Sequence, residues 1–307
     1  MRGPAHFSLL SSEFSLLTSH FSLLTSHSSL PLLTSHVMRS PMPSLTLYQV
    51  DAFADQVFRG NPAAAVPLDA WLPDTILQAI AAENNLAETA FFVPNGGGYH
   101  LRWFTPRQEV PLCGHATLAT AYVLLRHLTP QASRVEFTTL SGPLAVTRAE
   151  AGFVLDFPRL DPEPVTSPPL ALIRGLGGEP VEVLKFSVDP NFYAVFADES
   201  EVRSLRPNLT VLESLHPFGV VVTAPGTATD FVSRYFAPSY GIPEDPVTGS
   251  IHCVLTPYWA TRVGRTELTA WQASERGGSL RCRLEGDRVY LTGSAVLYLQ
   301  GTILIGE

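Results

Sequence analysis

Two stretches of this 307-residue chain read as helices with no polar face, and few folds can accommodate that. Ala116 to Leu128 and Ile251 to Val263 are apolar almost throughout. A helix of that kind has to be buried on every side. Each follows a loop of the same design. Phe104-Thr-Pro106 and then Cys113-Gly-His115 precede the first; Phe236-Ala-Pro238 and then Thr248-Gly-Ser250 precede the second. The chain therefore carries an internal repeat. The repeat predicts an α+β fold of two pseudo-symmetric, barrel-like domains, each a mostly antiparallel sheet wrapped around one central apolar helix. Side by side, such halves bring two helix N-termini to a shared cleft.

The rest of the pattern supplies the sheets. Alternation predicts a strand at Leu45 to Val50, with Arg59-Gly-Asn-Pro62 as a turn and Ala63 to Val66 as the returning strand. A helix is expected from Leu72-Pro-Asp74 to Asn84-Asn85. Glu88 to Val93, Asn95-Gly-Gly-Gly98 and Tyr99 to Phe104 read as a β-hairpin. Further strands are expected at 135–138, 144–148 and 153–157. A proline-rich stretch, Pro158 to Pro169, reads as a linker. Beyond it strands are expected at 181–186, 193–196, 219–223, 231–236, 266–273, 280–284, 288–291 and 295–305. Pro257 is expected to kink the second central helix. The resulting domains are 45–158 and 170–307, with the final strand free to cross back to the first.

Residues 1–44 stand apart. Phe14-Ser-Leu-Leu-Thr-Ser-His20 recurs unchanged as Phe21 to His27, with a degenerate copy at Phe7 to Glu13. Ser and Thr fill the positions a coiled coil would need for good helix formers, and the charge pattern of one is missing. The segment is expected to be disordered and outside the fold, with Met38 or Met42 as the true initiator. A net charge of -8 gives no basic footprint for nucleic acid. No run is long and apolar enough for a membrane helix. Three cysteines, an odd number without metal-ligand spacing, fit a reducing cytoplasmic compartment and argue against a metal site. Dinucleotide and Walker loops are missing.

Several short motifs now line up in order: Val50-Asp-Ala-Phe53, Gly60-Asn-Pro62, Asn85-Leu-Ala-Glu-Thr89, Leu112-Cys-Gly-His-Ala-Thr117, Arg234-Tyr-Phe-Ala-Pro238, Glu244-Asp-Pro-Val-Thr-Gly-Ser250 and Gln272-Ala-Ser-Glu-Arg-Gly-Gly278. From about residue 45 to its end, the chain resembles the PhzF-like phenazine-biosynthesis family of cofactor-independent isomerases and epimerases. The resemblance implies a diaminopimelate-epimerase-like fold, an active site between the two barrels, a homodimer and no cofactor.

Glu88 lies in an apolar context, Leu86-Ala-Glu-Thr-Ala-Phe-Phe92. Its residues alone leave two readings open: a structural carboxylate, or a general acid/base whose pKa partial burial raises. The resemblance makes Glu88 the proton carrier, although Ala87 replaces a serine often found before it. His115 follows Gly114 at a helix start, where the helix dipole favours a neutral imidazole. Asp245 precedes a proline, where Asp is also an ordinary turn former. By resemblance, His115 and Asp245 assist the proton relay, while Ser250 and the backbone amides of Gly114 and Gly249 hold a substrate carboxylate. Two helix N-termini facing one cleft can bind an anion without Arg or Lys. Asn61 and Arg276 are further candidates for substrate contact. Cys113 is a secondary candidate, sitting where epimerases of this fold carry one of two catalytic cysteines; Thr248-Gly-Ser250 occupies the other place.

The leading expectation is a cofactor-free isomerase of a small carboxylate-bearing metabolite. The alternative is a non-catalytic small-acid-binding or interaction protein that keeps the fold. A Cys113–His115 hydrolase ranks last, because neighbouring residues at a helix start do not naturally aim a histidine at a sulfur.

Overall fold

The computed structural model describes residues 44–187 and 189–306. The repeat segment, and the question of Met38 or Met42, lie outside them. The first half runs β1 (Ser44–Ala52), β2 (Asn61–Pro67), α1 (Asp74–Asn84), β3 (Glu88–Asn95), β4 (Gly98–Phe104), β5 (Glu109–Val110), α2 (Gly114–Val123), β6 (Arg134–Thr139), β7 (Gly142–Ala149) and β8 (Gly152–Pro158). The second runs β9 (Glu163–Pro164), α3 (Leu170–Leu176), β10 (Glu182–Phe186), β11 (Asp189–Val195), α4 (Glu199–Ser204), α5 (Leu209–Glu213), β12 (Gly219–Pro225), β13 (Phe231–Ala237), β14 (Ile242–Asp245), α6 (Gly249–Val263), β15 (Glu267–Gln272), β16 (Gly278–Glu285), β17 (Arg288–Gly293) and β18 (Ala295–Leu304).

The repeat is carried by the strand pairings. Among the described residues the first half pairs β1–β2 antiparallel, β2–β3 parallel, β3–β4 antiparallel and β4–β6 parallel, then β6–β7 and β7–β8 antiparallel. The second half repeats this order as β10–β11, β11–β12, β12–β13, β13–β15, β15–β16 and β16–β17, with the same sense at each step. The crossovers α2 and α6 join the second parallel pair of each half, where a helical connection is what the geometry asks for. The end strands are exchanged. β9, just past the first half, pairs with β10, and β18 returns to pair with β1. β8 and β17 pair antiparallel across the halves. The division at 45–158 and 170–307 is kept as a proposal.

Burial explains why α2 and α6 are apolar all round. One continuous core contains Ala116, Leu118 and Leu124 from the α2 region with Ile251, Val254 and Leu255 from α6. The sheets wrapping them are covered outside as well. α1 packs Leu77 and Ala81 against Phe91 and Phe104, and α3 to α5 pack Leu172, Val202 and Leu212 against Val220 and Val222. Strands β2 and β12 are therefore buried on both faces and read as apolar runs. Buried threonines in the central helices turn back onto the preceding turn: Thr117 donates to Cys113 O, Thr120 to Ala116 O and Thr256 to His252 O.

Pro257 lies inside α6 and cannot donate to the carbonyl one turn earlier. That carbonyl, Cys253 O, accepts Leu160 N–H instead at 3.2 Å. The proline thus creates a docking point for the segment between the halves. That segment is not the plain linker expected, since Glu163–Pro164 forms β9. Helices α3 to α5 and strand β14 were also not expected. Asp198 and Asn208 cap α4 and α5, accepting from Glu201 N and Val211 N, a capping signal legible at Asp198 to Glu201. The first central helix ends sooner than expected, and Leu124–Leu128 continues it as a π-turn.

Leu118 is fully buried in the shared core. Leu118→Ala is expected to lower the unfolding free energy by about 2–5 kcal/mol, read from urea denaturation. A change below about 1 kcal/mol would show that the core repacks around the loss.

Candidate active site

The N-termini of α2 and α6 meet at two glycines. A Cβ on Gly114 would lie 3.5 Å from Gly249 Cα, and one on Gly249 would lie 3.6 Å from Gly114 Cα. Thr248 does not turn its side chain onto the amides of α6, and at α2 only Ala116 N–H faces the Cys113 sulfur. The Gly114 and His115 N–H groups and the first turn of α6 are thus left for something else.

Around this point the structure gathers most of the expected residues. Glu88 opens β3, next to Ala63 of β2, and is buried. Its Oε2 lies 3.0 Å from His115 Nε2, at the second position of α2. The two atoms are close, yet neither has a well-formed hydrogen bond. Asn61, at the start of β2 and fully buried, joins the halves. Its Nδ2 donates to Asp245 Oδ1 at 2.8 Å and Val247 O at 2.9 Å, and lies 3.1 Å from His115 Nδ1. Thr248 Oγ1 donates to Asp245 Oδ2. Cys113 Sγ lies 3.5 Å from His115 Nδ1. The sequence argument against that contact fails because Cys113 is extended (φ -147°, ψ 111°), outside the helix, so its side chain folds toward the ring.

Two expected residues sit differently. Ser250, second in α6, is exposed. The Arg276 guanidinium is engaged with Asp51 Oδ1 at 2.8 Å, Gly60 O at 2.8 Å and Arg59 O at 3.0 Å. It clamps the turn that delivers Asn61. Gly60 holds φ 64° there, and a Cβ would come 2.1 Å from Ala52 O, so only glycine serves.

The outer wall is braced by residues outside the proton-transfer set. Buried Gln272 accepts from Thr248 N at 2.8 Å and donates to Asp245 O at 2.9 Å. Asp51, also buried, accepts from Phe58 N and Arg276. It lies in the Val50 to Phe53 motif, which was the available signal. Glu244 takes two hydrogen bonds from Arg234, at 2.8 and 2.9 Å, and so fixes the strand that ends in Asp245. His252 is a packing residue: Nδ1 donates to Thr248 O at 2.7 Å and the ring lies against Phe231.

Comparison with known proteins places this geometry. The pattern of the phenazine biosynthesis-like protein family matches residues 50–301. The chain belongs to that family. It is 51% identical over 259 residues to an uncharacterized isomerase of Pseudomonas aeruginosa, covering 84% of this chain and 98% of that one. A crystal structure of a PhzF-family protein from Enterococcus faecalis superposes with a TM-score of 0.82 at 45% identity, covering 86% of this chain and all of that one. A predicted epimerase of Pseudomonas aeruginosa shares the fold alone, with a TM-score of 0.64 at 20% identity over 85% of this chain and all of that one. The fold is the expected epimerase-like α+β architecture, and the chain is an isomerase of this family. Among the described residues no helix is long and apolar enough to cross a membrane.

Electrostatics at the cluster follow from burial and pairing. Burial pushes the Cys113 thiol up to about 11, with the Glu88 charge adding to it, so the sulfur is protonated at neutral pH. On His115 burial acts downward, but negative charge on Cys113 and Glu88 acts upward and prevails, holding the ring well above its ordinary value. With the thiol neutral, Glu88 is the charge that acts near pH 7. Asn61 Nδ2 directs its two N–H groups to Asp245 Oδ1 and Val247 O, so its 3.1 Å approach to His115 Nδ1 is a close contact with no hydrogen of its own for the ring. The neutral imidazole expected from the helix dipole is thus contested by a carboxylate. Burial pushes Asp245 up to about 6, His115 lowering it and Glu88 raising it, with the bonds from Thr248 and Asn61 restraining it. Glu88, Cys113 and His115 also offer donor atoms within 4.8 Å of one another, a set that fits a thiophilic metal ion.

Asp245 titrates near 6 when folded and near 3.8 when unfolded. The folded chain therefore holds an extra proton in that window, and the stability it contributes is complete below pH 4 and lost as the pH rises through 6. Asp245→Asn removes this dependence. Its stability relative to the parent is expected to improve by on the order of 2–3 kcal/mol between pH 4 and 7, in paired urea titrations. A pH-independent difference would mean that Asp245 is not held in a desolvated site.

Proposed function

We propose that this chain is a cofactor-independent isomerase or epimerase of a small carboxylate-bearing metabolite, with Glu88 as its proton carrier. The observation that supports this most directly is the buried Glu88–His115 pair, 3.0 Å apart, beside two helix ends, α6 without a side-chain cap and α2 with only Ala116 N–H facing the Cys113 sulfur. The substrate carboxylate sits on the remaining first-turn amides, where helix dipoles favour an anion. Glu88 takes the proton from a carbon next to that carboxylate. The C–H electron pair spreads into the carboxylate, and the added charge falls on oxygens that the same N–H groups face. Glu88 then returns the proton to another carbon or to the other face. Nothing is oxidised or reduced, so the step needs no co-reactant.

His115 serves by donating Nε2–H toward Glu88 while the carboxylate is charged and releasing it when Glu88 carries the proton. Asp245 assists by fixing the Asn61 amide beside His115, accepting from Asn61 Nδ2 and Thr248 Oγ1. Cys113 is a neutral neighbour in this scheme. The reading extends to a cytoplasmic homodimer, in keeping with the family resemblance and with three cysteines that form no disulfide among the described residues.

Glu88→Gln is expected to keep the fold and to reduce solvent-deuterium exchange into a turned-over acid by about 10²–10⁴-fold, measured by proton NMR. Exchange at the parent rate would sink the assignment. Cys113→Ala is expected to stay within a few-fold of the parent in the same assay; a loss as large as that of Glu88→Gln would make the thiol a proton carrier.

A further inference from the structure

Arg107 is a cation that the proton-transfer scheme does not use. It sits in a turn closed by Thr105, whose Oγ1 accepts from Arg107 N at 3.2 Å and Gln108 N at 3.0 Å. The turn lays the guanidinium on Gly241, in the loop before β14. A Cβ at Gly241 would come within 2.8 Å of Nη1 and 3.0 Å of Cζ. Glycine there, at φ 79°, both makes the bend and leaves room for the arginine. The side chain thus reaches from the first half to the second beside the site.

Two cavities adjoin it. One of about 370 Å³ is walled by Glu88, Arg107 and Ser239, among others; one of about 340 Å³ is walled by Ala87, Arg107, Glu244 and Asp245. The first is within the range of small-molecule sites. The acids on these walls already have partners. Glu244 is held by Arg234, Asp245 by Asn61 and Thr248, and Glu88 lies against His115. Among the described residues, Arg107 makes no ion pair and its guanidinium donates no hydrogen bond. Arg102, on the adjoining strand, is the contrast, since Glu109 and Asp74 engage it fully. Ser239 adds a second opening for a polar ligand, because its Oγ is buried without a hydrogen-bond partner on the wall of the larger cavity.

We propose that this cavity takes the far end of the substrate, with Arg107 binding a second carboxylate, so that the substrate is a small dicarboxylic acid. The proposal rests on the reading above, in which the first carboxylate occupies the helix ends beside Glu88. The helix amides hold one anion without any arginine, and Arg107 offers a planar fork that matches a carboxylate at two points. Glu88 borders the same cavity and also lies against His115 of α2, so it stands between this cavity and the helix ends.

The test is isothermal titration calorimetry of the full chain with matched acids: succinate against butyrate, glutarate against pentanoate, and isophthalate against benzoate. The parent and Glu88→Gln are both expected to bind at least one diacid about 10- to 100-fold more tightly than its monoacid. Arg107→Ala should bring the diacid to the level of the monoacid without changing the latter, and Arg107→Lys should restore part of the gap. Equal binding of diacid and monoacid by the parent would overturn the proposal. So would a diacid preference that survives Arg107→Ala, or no uptake of any of the six acids at millimolar concentration. Glu88→Gln reads binding without turnover. Diacid selectivity there with exchange retained would sink only the proton-carrier reading, whereas exchange lost without selectivity would sink only the role of Arg107.

Discussion

The meeting of Gly114 with Gly249 is the contact on which the rest of the site depends. It points the positive ends of two helices at one spot, an arrangement that repels itself. Each helix end carries roughly half an elementary charge, and the effect on a nearby group is about 0.3–2 kcal/mol. Packing easily exceeds that. Ile251, Val254, Leu255 and Trp259 of α6 are all nearly fully buried, and each such side chain is worth about 1.5–3 kcal/mol. The apolar length of the helices therefore holds their ends together against their own dipoles. What remains at the junction is an unmet demand for negative charge. Glu88 and Asp245 meet part of it, and in the proposed function a substrate carboxylate meets the rest.

Buried carboxylates are tolerated here because their neighbours are set by long-range hydrogen bonds. Asn61 and Asp245 are 184 residues apart, and Arg276 and Asp51 are 225 apart. In each pair one residue comes from either half. The polar cluster is consequently a product of docking the halves, and a half on its own would leave each of these groups facing water or unpaired. Gln272 shows the same economy: one amide satisfies the backbone of Asp245 and caps the entry to α6. Side chains with no place in the chemistry thus set the angle at which Asp245 is presented.

Much of the fold was legible because α2 and α6 declare themselves. A run without a polar face admits one solution, and the matching loops before each run disclose the repeat. The strands around them were readable from alternation and from turns such as Gly96-Gly97 and Glu285-Gly-Asp287. The short helices α3 to α5 escaped because they are too short for a periodic signal; all three pack on the sheet, and Asp198 and Asn208 cap α4 and α5. At the site, the family resemblance pointed to Glu88, His115 and Asp245, which their residue types alone left open, and the structure brings them together. The sequence could not say that Cys113 would turn toward His115, which depends on one extended residue, nor that Arg276 would be occupied by Asp51. Arg107 was missed for a plain reason. A single exposed arginine in a turn carries no signal until Gly241 is seen beneath it.

The exchanged end strands carry a consequence for how such a chain is made. β1 leaves the ribosome long before its β18 neighbour, which begins at Ala295. Until β18 has been made, the β1 edge that it will cover is open, a row of unpaired amides and carbonyls of the kind that recruits foreign strands. The sheet that carries Asn61 and Glu88 is completed only once β18 is in place. A nascent chain stalled before β18 would expose the strand edge most prone to mispairing, and chaperone engagement would be expected to concentrate there.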